Sequence, residues 1–495
     1  MPWYSLEVPI GVPGVTRSGR SDAPWTRTLF VGCWFAAIQV GFNETAIAQS
    51  VAVPTYVRDT GAVRDAEIGF LPINAAWAVA DGDGDGRDDL FYFGAVFDYV
   101  DEVNPSVPVL AYRNLADGRF GLMEAAQLVS GGLRNMKLAR RILSGDLNGD
   151  EKADLLFANT GDDFEPYRGE DNVLLLTDAS GPLRVATTLF PVFSDYTHGA
   201  AIGDVDKDGD KDLFLANVCC GEKGPYFLIN DGHGNFSFDE SRMPSLFSAQ
   251  SGGRPGQADP REHILSADIF DANGDGWDDL VLGLAQPPNA TITAAGGVLL
   301  NDGRGSFARS VLREFPVGLF GLANTMVLDF ERYDITQDGI LDLFVSQADG
   351  NHAGARIQVL VGIGDGTFRD ESSRVPTRFP YIPDHGSLWI ERLEMIDLNG
   401  DAGLDLLVQI ADHGQPKTTP YVNDGRGFFE EVPDSAIPNT PTRSSTPGML
   451  SDLPLFPVVT NGKLYLIGPE FDCRAGDGNR CTRWRVVTSV YSRRR

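Results

Sequence analysis

Short apolar runs punctuated by polar, glycine-rich turns recur along the chain. Leu90–Phe93, Leu213–Leu215, Leu280–Leu282 and Leu343–Val345 are such runs, and alternating apolar residues such as Trp77, Val79 and Ile142, Leu143 stand ahead of the intervening turns. Runs this short, bounded by glycine, asparagine and aspartate, predict strands rather than helices. A second pattern follows each run: an apolar strand, a polar turn and an aromatic residue. Asn230-Asp231-Gly232-His233-Gly234-Asn235-Phe236 is one example, and Asn301-Asp302-Gly303-Arg304-Gly305-Ser306-Phe307 and Asn423-Asp424-Gly425-Arg426-Gly427-Phe428 repeat it. Asn-Asp-Gly-x-Gly suits a tight hairpin, because glycine accepts the positive φ that such turns require. Each unit therefore predicts strand, acidic loop, strand, strand, turn, strand.

The acidic loop is the most regular feature. It occurs as Asp81, Asp83, Asp85, Asp89; as Asp146, Asn148, Asp150, Asp154; and as Asp204, Asp206, Asp208, Asp212. It occurs again as Asp271, Asn273, Asp275, Asp279; as Asp334, Thr336, Asp338, Asp342; and as Asp397, Asn399, Asp401, Asp405. Successive first aspartates stand 58 to 67 residues apart. A repeat of that period predicts stacked copies of one supersecondary unit. Six units are explicit. Val458–Leu466 has the flanking strands without the acids, Arg483–Tyr491 offers a further strand, and Val53–Gly61 reads as an outer strand and turn. The expectation is an all-β, seven-bladed β-propeller of four-stranded blades, its last blade built from both termini so that no sheet edge stays free.

Hard cations such as calcium take six to eight oxygen ligands in flexible geometry. Short carboxylates or amides at positions one, three, five and nine of a tight loop supply such a shell, with a backbone carbonyl at seven and glycine at six for the sharp turn. Without an ion, several carboxylates in one loop would repel. The expectation is up to six Ca²⁺ ions with the twenty-four residues above as ligands; magnesium suits so crowded a cage less well. Glu151 and Ala402 replace the glycine at position six, and Thr336 supplies a neutral oxygen at position three. The loops beginning at Asp146, Asp334 and Asp397 are therefore expected to bind more weakly.

The chain has 495 residues and a formal charge of −28, which disfavours nucleic acid as a partner. Its first part differs from the rest: Arg17, Arg20 and Arg27 precede the apolar Leu29–Ile38, followed by Ala46-Ile47-Ala48. That order predicts a secretory signal over 1–48, leaving 49–495 as one propeller domain, and the apolar run is too short to span a bilayer. In an exported protein the remaining Cys219, Cys220, Cys473 and Cys481 raise the question of disulfides. Cys473 and Cys481 bracket a polar loop and could pair across it; Cys219 and Cys220 form either a vicinal disulfide or two thiols.

At these residues the chain resembles the FG-GAP/VCBS repeat family, the integrin-α-like propellers. His198–Asn217 followed by Asn230–Phe236 carries the closest likeness. The resemblance implies that the loop aspartates are calcium ligands, that the ions stiffen the blades, and that partners dock elsewhere. The signal-like start and a propeller filling the rest of the chain, with no catalytic motif, lead to the expectation of a secreted or periplasmic, monomeric binding or adhesion module for an envelope or extracellular protein or glycan. The alternative is a propeller-based polysaccharide lyase or hydrolase. Yet His198, His233, His263, His352, His385 and His413 show no nucleophile or metal spacing, so no catalytic residue is assigned. His198, His263 and His385, each just ahead of a first strand, are expected to be loop-exposed and structural. Trp389 and Trp484 are expected to pack in the core.

Overall fold

The computed structural model describes residues 56–59, 66–68, 73–97, 101–247, 263–285, 295–376, 388–433, 455–475 and 481–493, less positions 117, 179, 180, 187, 188, 219, 220, 322, 323, 351, 413, 414 and 461. The expected signal segment, Cys219, Cys220, His385 and His413 lie outside the described residues.

Among the described residues the protein is all-β, with two single turns of 3-10 helix at Ala125–Gln127 and Ser372–Arg374. Six four-stranded antiparallel units follow one another. The first is Ile73–Ala80, Asp89–Ala95, Leu110–Asn114 and Phe120–Glu124, paired in chain order. The second is Ala139–Gly145, Asp154–Asn159, Val173–Asp178 and Gly181–Val185; the third is Thr197–Gly203, Asp212–Asn217, Tyr226–Asn230 and Phe236–Asp239. The fourth is His263–Phe270, Asp279–Ala285, Gly296–Leu299 and Arg313–Glu314. The fifth is Thr325–Tyr333, Asp342–Asp349, Ala355–Gly362 and Phe368–Asp370, joined to the fourth through the pair Ala285↔Met326. The sixth is Leu388–Ile396, Asp405–Asp412, Gln415–Asn423 and Phe429–Glu431. A terminal sheet pairs Tyr56–Asp59 and Ala66–Ile68 with Cys481–Arg493, which continues through Lys463–Ala475 to Phe456–Thr460. Its register sets Cys473 opposite Trp484 and Cys481 opposite Ala475.

The second strands explain why the runs after each acidic loop are wholly apolar rather than alternating. Leu155 and Phe157 pack against the first sheet, whereas Leu156 and Ala158 pack against the third. Leu213 and Leu215 face the second sheet, and Phe214 and Ala216 face the fourth. Strands buried on both faces carry apolar residues at every position. The same division places one apolar layer between each successive pair of sheets. Leu398 and Leu407 meet Leu466 of the terminal sheet and Leu455 just ahead of it, while Phe456 and Ile467 on the sheet's other face meet Trp77, Leu90 and Tyr92 of the first.

Side-chain hydrogen bonds cross the same junctions. Ser144 donates to Val79 O (2.8 Å), Thr160 to Thr197 O (3.0 Å), Ser266 to Val327 O (3.0 Å) and Ser346 to Ile390 O (2.8 Å). Gln409 donates to Leu455 O (3.3 Å), and Asn114 donates to the Thr460 hydroxyl (3.1 Å). Arg141 reaches farther, from the second sheet to Asp329 of the fifth (3.1 Å) and to Glu391 O of the sixth (3.2 Å).

Candidate metal loops

Each acidic loop connects the first strand of a unit to its second, so the six loops occupy equivalent turns. Their backbone explains the spacing. The position-one carboxylate folds back over its own loop: Asp81 accepts from Asp85 N (3.0 Å) and Gly86 N (2.8 Å). Asp271 accepts from Asp275 N (3.1 Å) and Gly276 N (2.7 Å), and Asp334 from Asp338 N (3.1 Å) and Gly339 N (2.8 Å). Position six is left-handed throughout, with φ of 82° at Gly86 but also 64° at Glu151 and 71° at Ala402. Position four is left-handed as well, a requirement missed in the sequence because the ligand spacing assigns that position no role. Lys207 (φ 59°) and Gln337 (φ 58°) bear that strain in the third and fifth loops. A side chain in this region costs about 1–2 kcal/mol. Only the first and fourth loops escape it.

The position-nine aspartate is the most enclosed member. Asp89 accepts from Gly82 N (3.1 Å) and Asn114 N (2.7 Å), and Asp212 from Val205 N (3.1 Å) and Asn230 N (2.9 Å). Asp154, Asp279, Asp342 and Asp405 repeat the arrangement. Burial pushes these carboxyls up, to about 7 at Asp89, Asp212 and Asp279 and about 6 at Asp154, Asp342 and Asp405, against the backbone N–H groups that favour the ionised form.

The first and third loops bring acids closest together. One oxygen each of Asp81, Asp83 and Asp89, and of Asp204, Asp206 and Asp208, lie within 4.8 Å of one another. Elsewhere position three is neutral: Asn273 and Asn399 donate to Asp275 and Asp401 (2.9 Å each), Asn148 donates to Thr177 O (2.7 Å), and the Thr336 hydroxyl faces Asp334 (3.4 Å). Arginine meets the acid-rich loops from outside, Arg113 at Asp83 (2.5 Å) and Arg242 at Asp206 (3.2 Å). Asp206 Oδ1 is nevertheless buried with no hydrogen-bond partner. An orphaned carboxylate oxygen facing two more acids fits a hard cation, and Asp204, Asp206 and Asp208 would hold it.

The asparagine that opens the Asn-Asp-Gly-x-Gly turn does more than shape a hairpin. Asn301 donates to Asp278 O of its own acidic loop (2.9 Å) and to Val205 O of the preceding one (2.7 Å). Asn230 does the same with Lys211 O and Leu147 O, both at 2.9 Å. Neighbouring loops are thereby linked.

The histidines and tryptophans fall as follows. His198 is not loop-exposed: it is the second residue of its strand, partly buried, with Nδ1 2.8 Å from Leu265 O. The strand's register shifts between Thr197 and Gly199, so His198 sits at a bulge. His263 opens its strand, and Trp389 packs partly buried against Leu265, Leu328 and Ala348. Trp484 lies on the strand Cys481–Arg493.

Among protein families, an FG-GAP-like repeat matches residues 146–215 and 334–408, each span running from one acidic loop to the apolar strand beyond the next. The chain carries FG-GAP-like repeats. With six successive four-stranded units, each turning through one such loop, its fold is β-propeller-like. No curated protein matches the chain. Solved structures similar to parts of it include the S. cerevisiae core factor, at 9% identity and TM-score 0.39 over 89% of this chain and 61% of that one. They also include an endo-arabinase from Bacteroides thetaiotaomicron, at 15% identity and TM-score 0.30 over 60% and 93%. A GH32 β-fructofuranosidase from Bombyx mori follows, at 12% identity and TM-score 0.29 over 87% and 93%. The chain thus spans less than two thirds of the first of these, and likenesses at such TM-scores carry no argument about its role. No helix among the described residues is long and apolar enough to cross a membrane.

Proposed function

We propose that the chain is a calcium-stiffened propeller of seven blades, exported to the periplasm or the cell exterior, that acts as a monomeric binding or adhesion module for a protein or glycan. The observation that carries this reading is the set of six equivalent acidic turns, with an unpartnered Asp206 oxygen in the third. Calcium at those turns would hold each loop against its neighbour, where Asn230 and Asn301 already bridge. The apolar layers on both faces of the terminal sheet support a ring whose seventh blade joins the two ends of the chain. Ions placed in this way are girders, which leaves the opposite rim for recognition.

Capture from envelope extracts on immobilised full chain, in calcium and in chelator, tests the reading. Calcium-dependent retention of a defined protein or glycan supports it. Turnover of a polysaccharide by the purified chain would replace it with the enzyme alternative.

A further inference from the structure

Each first strand runs toward its acidic loop, so the opening residues of these strands lie at the other end of the sheets. There the described residues assemble two kinds of wall. The apolar wall consists of Leu265 and Leu328 with Val218, Met326 and Trp389 only partly buried against them. Trp389 also meets His352 edge to face, with ring centroids 5.1 Å apart. The polar wall begins at Arg140, whose guanidinium donates to Asp163 (2.8 Å). Asp163 accepts a second bond from the Tyr196 hydroxyl (2.5 Å), and its backbone N–H donates to Asn104 (2.7 Å), so the carboxylate is fixed in place. The two walls meet where His198 contacts Leu265, and His352 lies within electrostatic reach of both Arg140 and Asp163. Arg141, held by Asp329 and the carbonyls of Leu328 and Glu391, crosses between the second, fifth and sixth sheets one residue further along. It forms a floor.

Two polar groups of this recess have unused bonding capacity. Arg140 Nε is enclosed without a hydrogen-bond partner. Burial, reinforced by Arg140, depresses the His198 imidazole to about 3, so the ring is neutral; with Nδ1–H donated to Leu265 O, its Nε2 is left as an acceptor. One donor and one acceptor beside an aromatic ring and an aliphatic surface complement a sugar, whose hydroxyls both donate and accept and whose C–H face is apolar. Charge selects within that class. Asp163 already meets the Arg140 charge, and Glu391 and Asp349 add negative potential near Arg140 and His352. We propose that this recess, lined by Arg140, His198, His352 and Trp389, binds a neutral saccharide unit. The inference rests on the binding-module reading and narrows it to one site and one ligand class.

Titration calorimetry on the calcium-loaded full chain, using maltotriose, mannotriose and galactotriose with trigalacturonate as the acidic comparator, tests it. The expected result is saturable binding of at least one neutral trisaccharide and none of trigalacturonate. Trp389→Leu and Arg140→Lys, which keeps a cation for Asp163, should each weaken that binding at least tenfold. Either variant suffices where its melting temperature matches the wild type. Absence of neutral-trisaccharide binding, equal binding of trigalacturonate, or binding unchanged in both variants would each overturn the site. Calcium-dependent capture of some other ligand that survives both substitutions would sink this inference while leaving the binding-module reading intact.

Discussion

Asn301→Ala is the substitution whose effect follows most directly from the geometry. The side chain is buried, donates to Val205 O and Asp278 O at 2.7 and 2.9 Å, and accepts from Gly303 N and Gly305 N at 3.1 and 3.0 Å. Each such bond is worth about 0.5–1.5 kcal/mol net, and a buried group left unpaired costs about 1–3 kcal/mol. Water can reach Gly303 once the side chain is gone, but Gly305 and the enclosed Val205 are less accessible. A loss of about 3 kcal/mol is therefore expected in urea unfolding. Asp302→Ala next door is the control: its carboxylate also accepts two backbone N–H bonds, from Arg304 and Ser306, but in full contact with solvent. It should cost less than about 1 kcal/mol. Because Val205 is the second residue of the third acidic loop, Asn301→Ala should also weaken calcium binding there. Equal costs for the two variants would refute the view that this asparagine ties loop to loop.

Other outcomes follow from the same geometry. Ala402→Gly removes a left-handed non-glycine (φ 71°) and should raise calcium-free stability by about 1 kcal/mol, read from the urea midpoint. Thr336→Asp places a carboxylate where a hydroxyl faces Asp334, and should tighten terbium or calcium binding at the fifth loop about tenfold while lowering calcium-free stability. Glu394 is raised from 4.5 to about 7, chiefly by burial, with Arg392 opposing and Asp329 adding to the shift. The folded protein therefore holds a proton that the unfolded chain gives up between about pH 4.5 and 7, so this group's favourable contribution disappears as pH rises through 7. Glu331, raised as well by burial and by the Glu394 charge, shares this behaviour, so Glu394→Gln should be the more stable protein at pH 8 and should match the wild type at pH 4, read from urea unfolding at the two pH values.

The repeat and its strands were legible because both are local. Leu213–Leu215 and Leu343–Val345 announce strands buried on two faces, and the four-position acid spacing announces the turn between them. Within the turn, the need for a left-handed residue at position six was readable from Gly86, Gly276 and Gly339. The same need at position four stands in an equally marked column, glycine in four loops with Lys207 and Gln337 in the others, but the ligand spacing assigns that position no role and so drew no attention to it. What joins one unit to the next was not legible. Asn230 and Asn301 read as hairpin residues, and nothing local says that their amides reach a carbonyl in the preceding loop. Arg141 likewise looks like a strand cation, yet it bonds to residues nearly two hundred positions away. The Arg140–Asp163–Tyr196 group is invisible for the same reason: its members come from three separate segments. A signal was present in hindsight, since two arginines at the head of a first strand are unusual for a position next to a core.

Calcium that stiffens the blades must raise the stability of the folded chain. Differential scanning calorimetry of the full chain, in about 10 mM calcium and in excess chelator, reads this directly. If several loops bind with affinities of roughly 10⁻⁴–10⁻³ M, mass action contributes about 1.4–2.7 kcal/mol per site at that concentration. At about 1 °C per kcal/mol for a domain of this size, the melting temperature should then rise by about 5 °C or more with calcium. A melting temperature indifferent to calcium would mean that the acidic turns are self-sufficient, held by Asp81, Asp271 and their backbone partners alone.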